Sequence, residues 1–253
     1  MKIEIIPCLK DNYSYVIIDL KNNKTCVVDP SESKPIINFL EKNNLQLNYI
    51  LNTHHHYDHV GGNAELKNKY KAKIVGFKGD CERIPEIDIM LKDGEIWKQD
   101  NFEAKVIHIP GHTLGHICFY FYNENNLFTG DTLFSLGCGR IFEGTYQQMF
   151  ASLEKIKKLP PKTKIYCGHE YTLQNSKFCI QYDKENQNLT NKIKEINEKL
   201  KKNKPTIPST LEDELKNNIF LRSDKENIKI NLNIGSSSSL ITFSKLRDLK
   251  DNF

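Results

Sequence analysis

The chain has 253 residues, 38% of them hydrophobic and 27% charged, with a mean hydropathy of -0.55. That composition supports an ordinary core and excludes a collagenous, disulfide-stapled or fully disordered chain. The net charge of +4 comes from 36 basic and 32 acidic residues scattered along the chain, too weak a bias to point to a nucleic-acid partner.

In chain order, short β-branched or aromatic runs cut by Gly, Pro, Asn and Asp predict strands at Lys2–Leu9, Ser14–Asp19, Thr25–Asp29, Tyr49–Thr53, Lys73–Phe77, Phe102–Ile109, His116–Tyr122, Asn126–Thr129 and Lys164–Cys167. Helical spacing falls at Pro35–Asn43, Asn63–Tyr70 and Tyr146–Leu159, the last stopped by Pro160-Pro161. After Tyr171 Gly is nearly absent, and Leu189, Ile193, Ile196 and Leu200 recur at three- and four-residue spacing. Ser209-Thr210-Leu211-Glu212 has the form of a capping box, and a last helix runs through Lys245–Lys250. We therefore expect an α/β domain over residues 1–170 and a helical domain over 171–253.

The seven cysteines form no Cys-x-x-Cys pair, which signals neither a disulfide framework nor a thiolate zinc site and suits a reducing compartment. Glu4 and Pro7 interrupt the opening residues where a secretory signal needs an apolar run, and no stretch of about 18 apolar residues occurs. A soluble, cytoplasmic chain without a membrane partner is the expectation.

All eight histidines lie before Tyr171. Four of them, with an aspartate, crowd into His54-His55-His56-Tyr57-Asp58-His59, directly after the apolar run Tyr49–Leu51. A lone histidine is more often a core or surface residue than a ligand, but grouping so many polar side chains costs several kcal/mol unless something compensates. In an extended or tightly turning segment His54 and His56 point the same way and can grip one cation, while His55 alternates away. Ile109–Thr113, Thr129–Asp131 and Tyr166–Glu170 each end an apolar run with a metal-capable side chain: His112, Asp131 and His169. Imidazole and carboxylate donors suit zinc first, with iron or manganese as alternatives. His108 and His116 read as structural hydrogen-bonding residues, and Cys138 and Cys167 as small packed residues.

The His-x-His-x-Asp-His motif, with single His, Asp and His at later strand ends, resembles the metallo-β-lactamase superfamily. Within it the chain is similar to the glyoxalase II family of hydroxyacylglutathione hydrolases, through Pro110–Thr113, Phe128–Phe134, Gly137–Thr145, Cys167–Thr172, Phe220–Arg222 and Lys250–Phe253. The resemblance implies an α/β fold, a four-layer αββα sandwich followed by a small helical domain that binds the glutathione substrate. It implies two divalent metal ions per chain, one held by His54, His56 and His112, the other by Asp58, His59 and His169, with Asp131 bridging. Asp58 and Asp131 are then the catalytic carboxylates. Asp29, at a strand end where the superfamily usually has an aspartate, orients a ligand histidine. Two divalent cations against two carboxylates and a hydroxide leave a slight positive charge, and coordination makes that hydroxide available at neutral pH for attack on a thioester.

By the same resemblance Arg140, Phe142, Tyr171, Arg247 and Lys250 contact glutathione, Phe142 standing where the family usually has a tyrosine. Arg247 and Lys250 are three apart, so both can project from one exposed helix side toward a carboxylate. The implied reaction is hydrolysis of S-(2-hydroxyacyl)glutathione, typically S-D-lactoylglutathione, to glutathione and D-lactate, the second step of methylglyoxal detoxification, by a monomer. The alternatives are a persulfide dioxygenase with one iron, for which Asp58, His59 and His169 are less needed, and a metal-dependent nuclease, for which the charge shows no basic stripe.

Overall fold

A computed structural model describes residues 1–253, which fold as two compact units: residues 1–108 with 114–130, and residues 109–113 with 131–253. In the first unit, β1 (Lys2–Cys8), β2 (Asn12–Asp19) and β3 (Lys24–Val28) form an antiparallel meander. Helix α1 (Ser33–Lys42) then crosses to β4 (Tyr49–Leu51), which lies parallel to β3. A single turn, α2 (Tyr57–Val60), and α3 (Asn63–Tyr70) lead to β5 (Lys73–Phe77) and β6 (Ile89–Leu91), completing a sheet of order β1-β2-β3-β4-β5-β6. The antiparallel strands β7 (Ile96–Gln99), β8 (Phe102–His108), β9 (Ile117–Phe121) and β10 (Asn126–Gly130) follow in order β10-β9-β8-β7.

Every residue of β2 is buried, as expected of a strand covered on both faces. One face packs Val16, Ile18, Val27, Ile50 and Ile74 against Ile36 and Leu40 of α1 and Leu66 of α3. From the other face, Tyr15 meets Phe128 of β10 at 5.4 Å between ring centroids, and Tyr49 meets Trp97 of β7 edge-on at the same distance. Such aromatic pairs add to the free energy of burial.

The second unit holds the short hairpin β11 (Leu133–Phe134) and β12 (Gly137–Cys138), then α4 (Tyr146–Lys157), β13 (Lys164–Cys167), α5 (Thr172–Tyr182), α6 (Gln187–Lys201), β14 (Ser209–Thr210), α7 (Leu211–Asn217), α8 (Glu226–Asn231) and α9 (Ser239–Asp251). Phe150 of α4 lies 5.7 Å from Phe243 of α9. The buried Glu214 accepts the Leu136 amide at 2.8 Å, and Asn218 donates to the carbonyls of Phe134 and Gly137, so the segment around α7 holds the hairpin in place.

Two sequence expectations change in detail. The cap at residues 209–212 sits one residue later: Ser209 is buried in β14, and the Thr210 hydroxyl accepts from the Asp213 amide at 3.1 Å. Strands β6 and β7 were not anticipated, because three or four residues leave too little alternation to read. The cysteines are all unpaired and, except for the partly exposed Cys81, buried. Burial pushes the thiols of Cys8, Cys138 and Cys26 up, that of Cys179 to about 12, and that of Cys167 higher still. No helix is long and apolar enough to cross a membrane.

Candidate metal centre

In the first unit the chain leaves β4 through Asn52 and Thr53, turns at His54–His56 and enters α2. Gly61 and Gly62 permit the close return that follows, since a Cβ on either would sit 2.6 Å from the Ser31 carbonyl oxygen or 2.9 Å from that of Pro30. Asp29, in a left-handed conformation (φ 48°), receives the Thr53 amide at 2.8 Å, the Thr53 hydroxyl at 2.6 Å and His59 Nδ1 at 3.0 Å. Because the Thr53 hydroxyl proton goes to Asp29, His54 Nδ1, 3.0 Å from that oxygen, is the donor of its pair. His59 Nδ1 likewise donates to a carboxylate. Both rings therefore keep their lone pair on Nε2, the form in which imidazole binds metal.

The ring centroid of His54 lies 4.2 Å from that of His59 and 4.7 Å from that of His56, and His116 stacks on His54 at 4.5 Å. The ligand-capable atoms of Asp29, His54 and His59 lie within 4.8 Å of one another, all three residues buried. Asp58 Oδ2 accepts from Asn12 Nδ2 at 3.0 Å and lies 3.7 Å from His59 Nε2. His55 points elsewhere, its Nδ1 3.0 Å from Asp80. His108 contacts the Leu114 carbonyl at 2.8 Å and stacks on Phe77.

In the second unit His112 Nδ1 donates to the Arg140 carbonyl at 2.8 Å, which again leaves the Nε2 lone pair for a cation, and that nitrogen is 3.6 Å from Asp131 Oδ2. His169 Nε2 lies 3.2 Å from the same oxygen. A Cβ on Gly139 would fall 1.8 Å from the Asp131 carbonyl oxygen, so only glycine allows this approach. Gly111 likewise gives room to Met149 of α4. Each unit thus presents a set of imidazole and carboxylate donors: the buried His54 and His59 with the partly exposed His56 and Asp58 in one, and the buried His112, Asp131 and His169 in the other. Oriented imidazoles with carboxylates and no thiolate fit a divalent cation.

Of the residues expected at the substrate, Tyr171 stacks on His169 at 4.7 Å with the rings nearly parallel, and Phe142, 63% exposed, lies 5.2 Å from the His112 ring. Arg140 is exposed, its Nε 3.6 Å from Asp251. Lys250 lies over the rings of Phe178 and Phe253; burial first, then the nearby Arg247 and Arg140, brings its ammonium down to about 8.

Arg247 corrects the expectation of an exposed helix side. It is 3% exposed, its Nη1 donates to the Cys138 carbonyl, its Nε and Nη2 bind Asp251, and its guanidinium covers Phe220. Sequence reasoning missed Asn12, the Thr53 hydroxyl, Asp80 and Asp251. Only Thr53, adjoining the histidine run, carried a signal that could have found it.

The metallo-β-lactamase superfamily model matches residues 10–169, and the model of the hydroxyacylglutathione hydrolase C-terminus matches residues 170–253. Hydroxyacylglutathione hydrolase of Pelagibacter ubique (strain HTCC1062) is 66% identical over 253 residues, covering 100% of both chains. That of Rhodopseudomonas palustris (strain HaA2) is 43% identical over 250 residues, covering 99% of this chain and 98% of the relative. The crystal structure of ETHE1 from Myxococcus xanthus superposes with a TM-score of 0.68 at 20% identity, covering 99% of this chain and 98% of that one. At that identity the likeness speaks for the fold alone, which is the metallo-β-lactamase fold. The chain belongs to the hydroxyacylglutathione hydrolase family of the metallo-β-lactamase superfamily.

Proposed function

We infer that this chain hydrolyses S-(2-hydroxyacyl)glutathione, typically S-D-lactoylglutathione, to glutathione and a 2-hydroxy acid such as D-lactate. The observation that carries the reading is the 66% identity to a hydroxyacylglutathione hydrolase along the whole chain. The donor residues would hold two ions, zinc first: His54, His56 and His112 for one, Asp58, His59 and His169 for the other, and Asp131 for both. When bound, the ions would supply the positive charge that acidifies water and stabilises an oxyanion.

Asp29 and the Arg140 carbonyl fix the tautomers of His59 and His112, and Asn12 fixes Asp58, so the donors are oriented before substrate arrives. Asp58, the other carboxylate of the proposed site, would act with Asp131 as a catalytic residue by helping to hold the ions that activate the attacking water. The departing thiol has an ordinary pKa near 8.5, so the leaving group needs no dedicated acid. Phe142 and Tyr171 would contact the glutathione moiety, while Arg140 and Lys250 would meet its carboxylates, with Arg247 acting through Asp251. Residues 1–170 would then carry the chemistry and 171–253 the recognition, in a cytoplasmic monomer.

The test is purified protein with S-D-lactoylglutathione, following thioester loss and thiol release before and after chelation and metal restoration. Release that chelation abolishes and metal restores is expected. Failure to release thiol with metal restored rejects the reading, and oxygen uptake on a glutathione persulfide would favour the one-iron dioxygenase instead.

A further inference from the structure

The middle histidine of the run, His55, is turned away from the donors, yet it is held as firmly as they are. Its Nδ1 lies 3.0 Å from Asp80 Oδ2, and since a carboxylate can only accept, His55 donates. Asp80 closes a turn of 3-10 helix at Lys78–Asp80, and its side chain is fully buried. Its other oxygen accepts from Arg83 Nε at 2.6 Å and from Arg83 Nη2, while its carbonyl accepts the amides of Arg83 at 2.9 Å and Ile84 at 3.1 Å. Gly115 packs directly on the carboxyl group, where a Cβ would lie 2.4 Å from Asp80 Cγ. A buried carboxylate without partners is costly, so this arrangement is stable only with His55 and Arg83 in place.

The backbone on both sides of His55 carries His54 and His56, whose rings lie 4.7 Å apart. Rotation of the His55 peptide planes would swing one ring away from the other. We propose that Asp80 is a positioning residue for the metal centre: braced by Arg83, it holds the His55 ring and so fixes the turn that presents His54 and His56 together. The proposal rests on the reading of His54 and His56 as ligands. It predicts an effect on metal affinity rather than on the number of ions held at saturation, because no donor atom is removed.

The experiment titrates zinc into the metal-stripped full chain in competition with a chromophoric chelator, and records the thermal midpoint of each zinc-free protein. Asp80→Ala and His55→Ala should weaken zinc binding by roughly 10- to 100-fold, the range for groups that orient ligands. His55→Asn, whose amide NH2 can stand where Nδ1–H stood and still donate to Asp80, should bind within about threefold of the parent, a rescue of the oriented hydrogen bond. The zinc-free midpoint of His55→Ala should fall below that of His55→Asn, and the zinc titrations are run well below both midpoints, where each protein is folded, so lost folding stability does not account for the difference. If Asp80→Ala fails to fold, the two His55 variants decide alone. Wild-type affinity in His55→Ala, or equal weakening in His55→Asn, overturns the proposal while leaving the ligand reading intact. A parent chain that binds no zinc overturns both.

Discussion

Arg247 Nη1 donates to the carbonyl oxygen of Cys138 at 2.7 Å, joining α9 to the β11–β12 hairpin across 109 residues of sequence. The same guanidinium holds Asp251, which lies 3.6 Å from Arg140 Nε. A buried cation with these partners ties the end of the chain to the loop that carries Arg140. Arg247→Ala should therefore lower unfolding stability by about 2–4 kcal/mol, the cost of removing one partner from a buried charged network. Urea denaturation measures it, and a change within about 0.5 kcal/mol would mean a surface residue instead.

Asp131 stands 3.2 Å from His169 Nε2 and 3.6 Å from His112 Nε2. Asp131→Asn keeps the shape and removes the charge. Zinc per chain should fall and thioester turnover should drop by at least about 100-fold, since the charge that offsets the cations is lost. Metal analysis of the dialysed variant beside the parent checks it; an unchanged metal content would remove Asp131 from the ligand set.

The proposed role of Lys250 at a glutathione carboxylate carries a pH limit. With its pKa lowered to about 8 by burial, Lys250 is charged below that pH and neutral above it, so the proposed attraction would be present at pH 7 and lost by pH 9. KM for the glutathione thioester should rise across this interval, with kcat less affected. Lys250→Met should start from the higher KM and show a flatter profile; parallel profiles for the two proteins would assign the titration elsewhere.

Phe142 offers an exposed ring beside His112. Phe142→Tyr adds a hydroxyl without disturbing any core packing, so stability should stay within about 0.5 kcal/mol. If the hydroxyl meets substrate, KM should fall severalfold, consistent with about 0.5–1.5 kcal/mol for one hydrogen bond. Steady-state kinetics on both proteins decide it, and an unchanged KM would place this ring outside the substrate contacts.

The residues proposed as donors stand out in the sequence because their signal is local: a histidine-rich run follows the apolar strand β4, and His112, Asp131 and His169 follow later apolar strands. Their supports do not. Asn12 reaches Asp58 across 46 residues and Asp80 reaches His55 across 25, distances at which spacing carries no information. Helix α5 shows the same limit within one element, since it buries Thr172, Asn175 and Ser176 and so presents no apolar stripe to read. Arg247 misled because charge on a helix ordinarily means solvent, and only the distant Cys138 carbonyl explains its burial.

The buried cysteines have a consequence for an enzyme whose inferred reaction liberates a thiol at every turnover. Thioester and disulfide exchange require a thiolate within reach of the incoming sulfur or carbonyl. Cys8, Cys26, Cys118, Cys167 and Cys179 are buried in the interior, and Cys138 is closed off beneath Arg247. The chain can therefore work amid its own product and its oxidised form without being acylated or capped at these positions, which leaves the partly exposed Cys81 as the one sulfur where glutathionylation would begin.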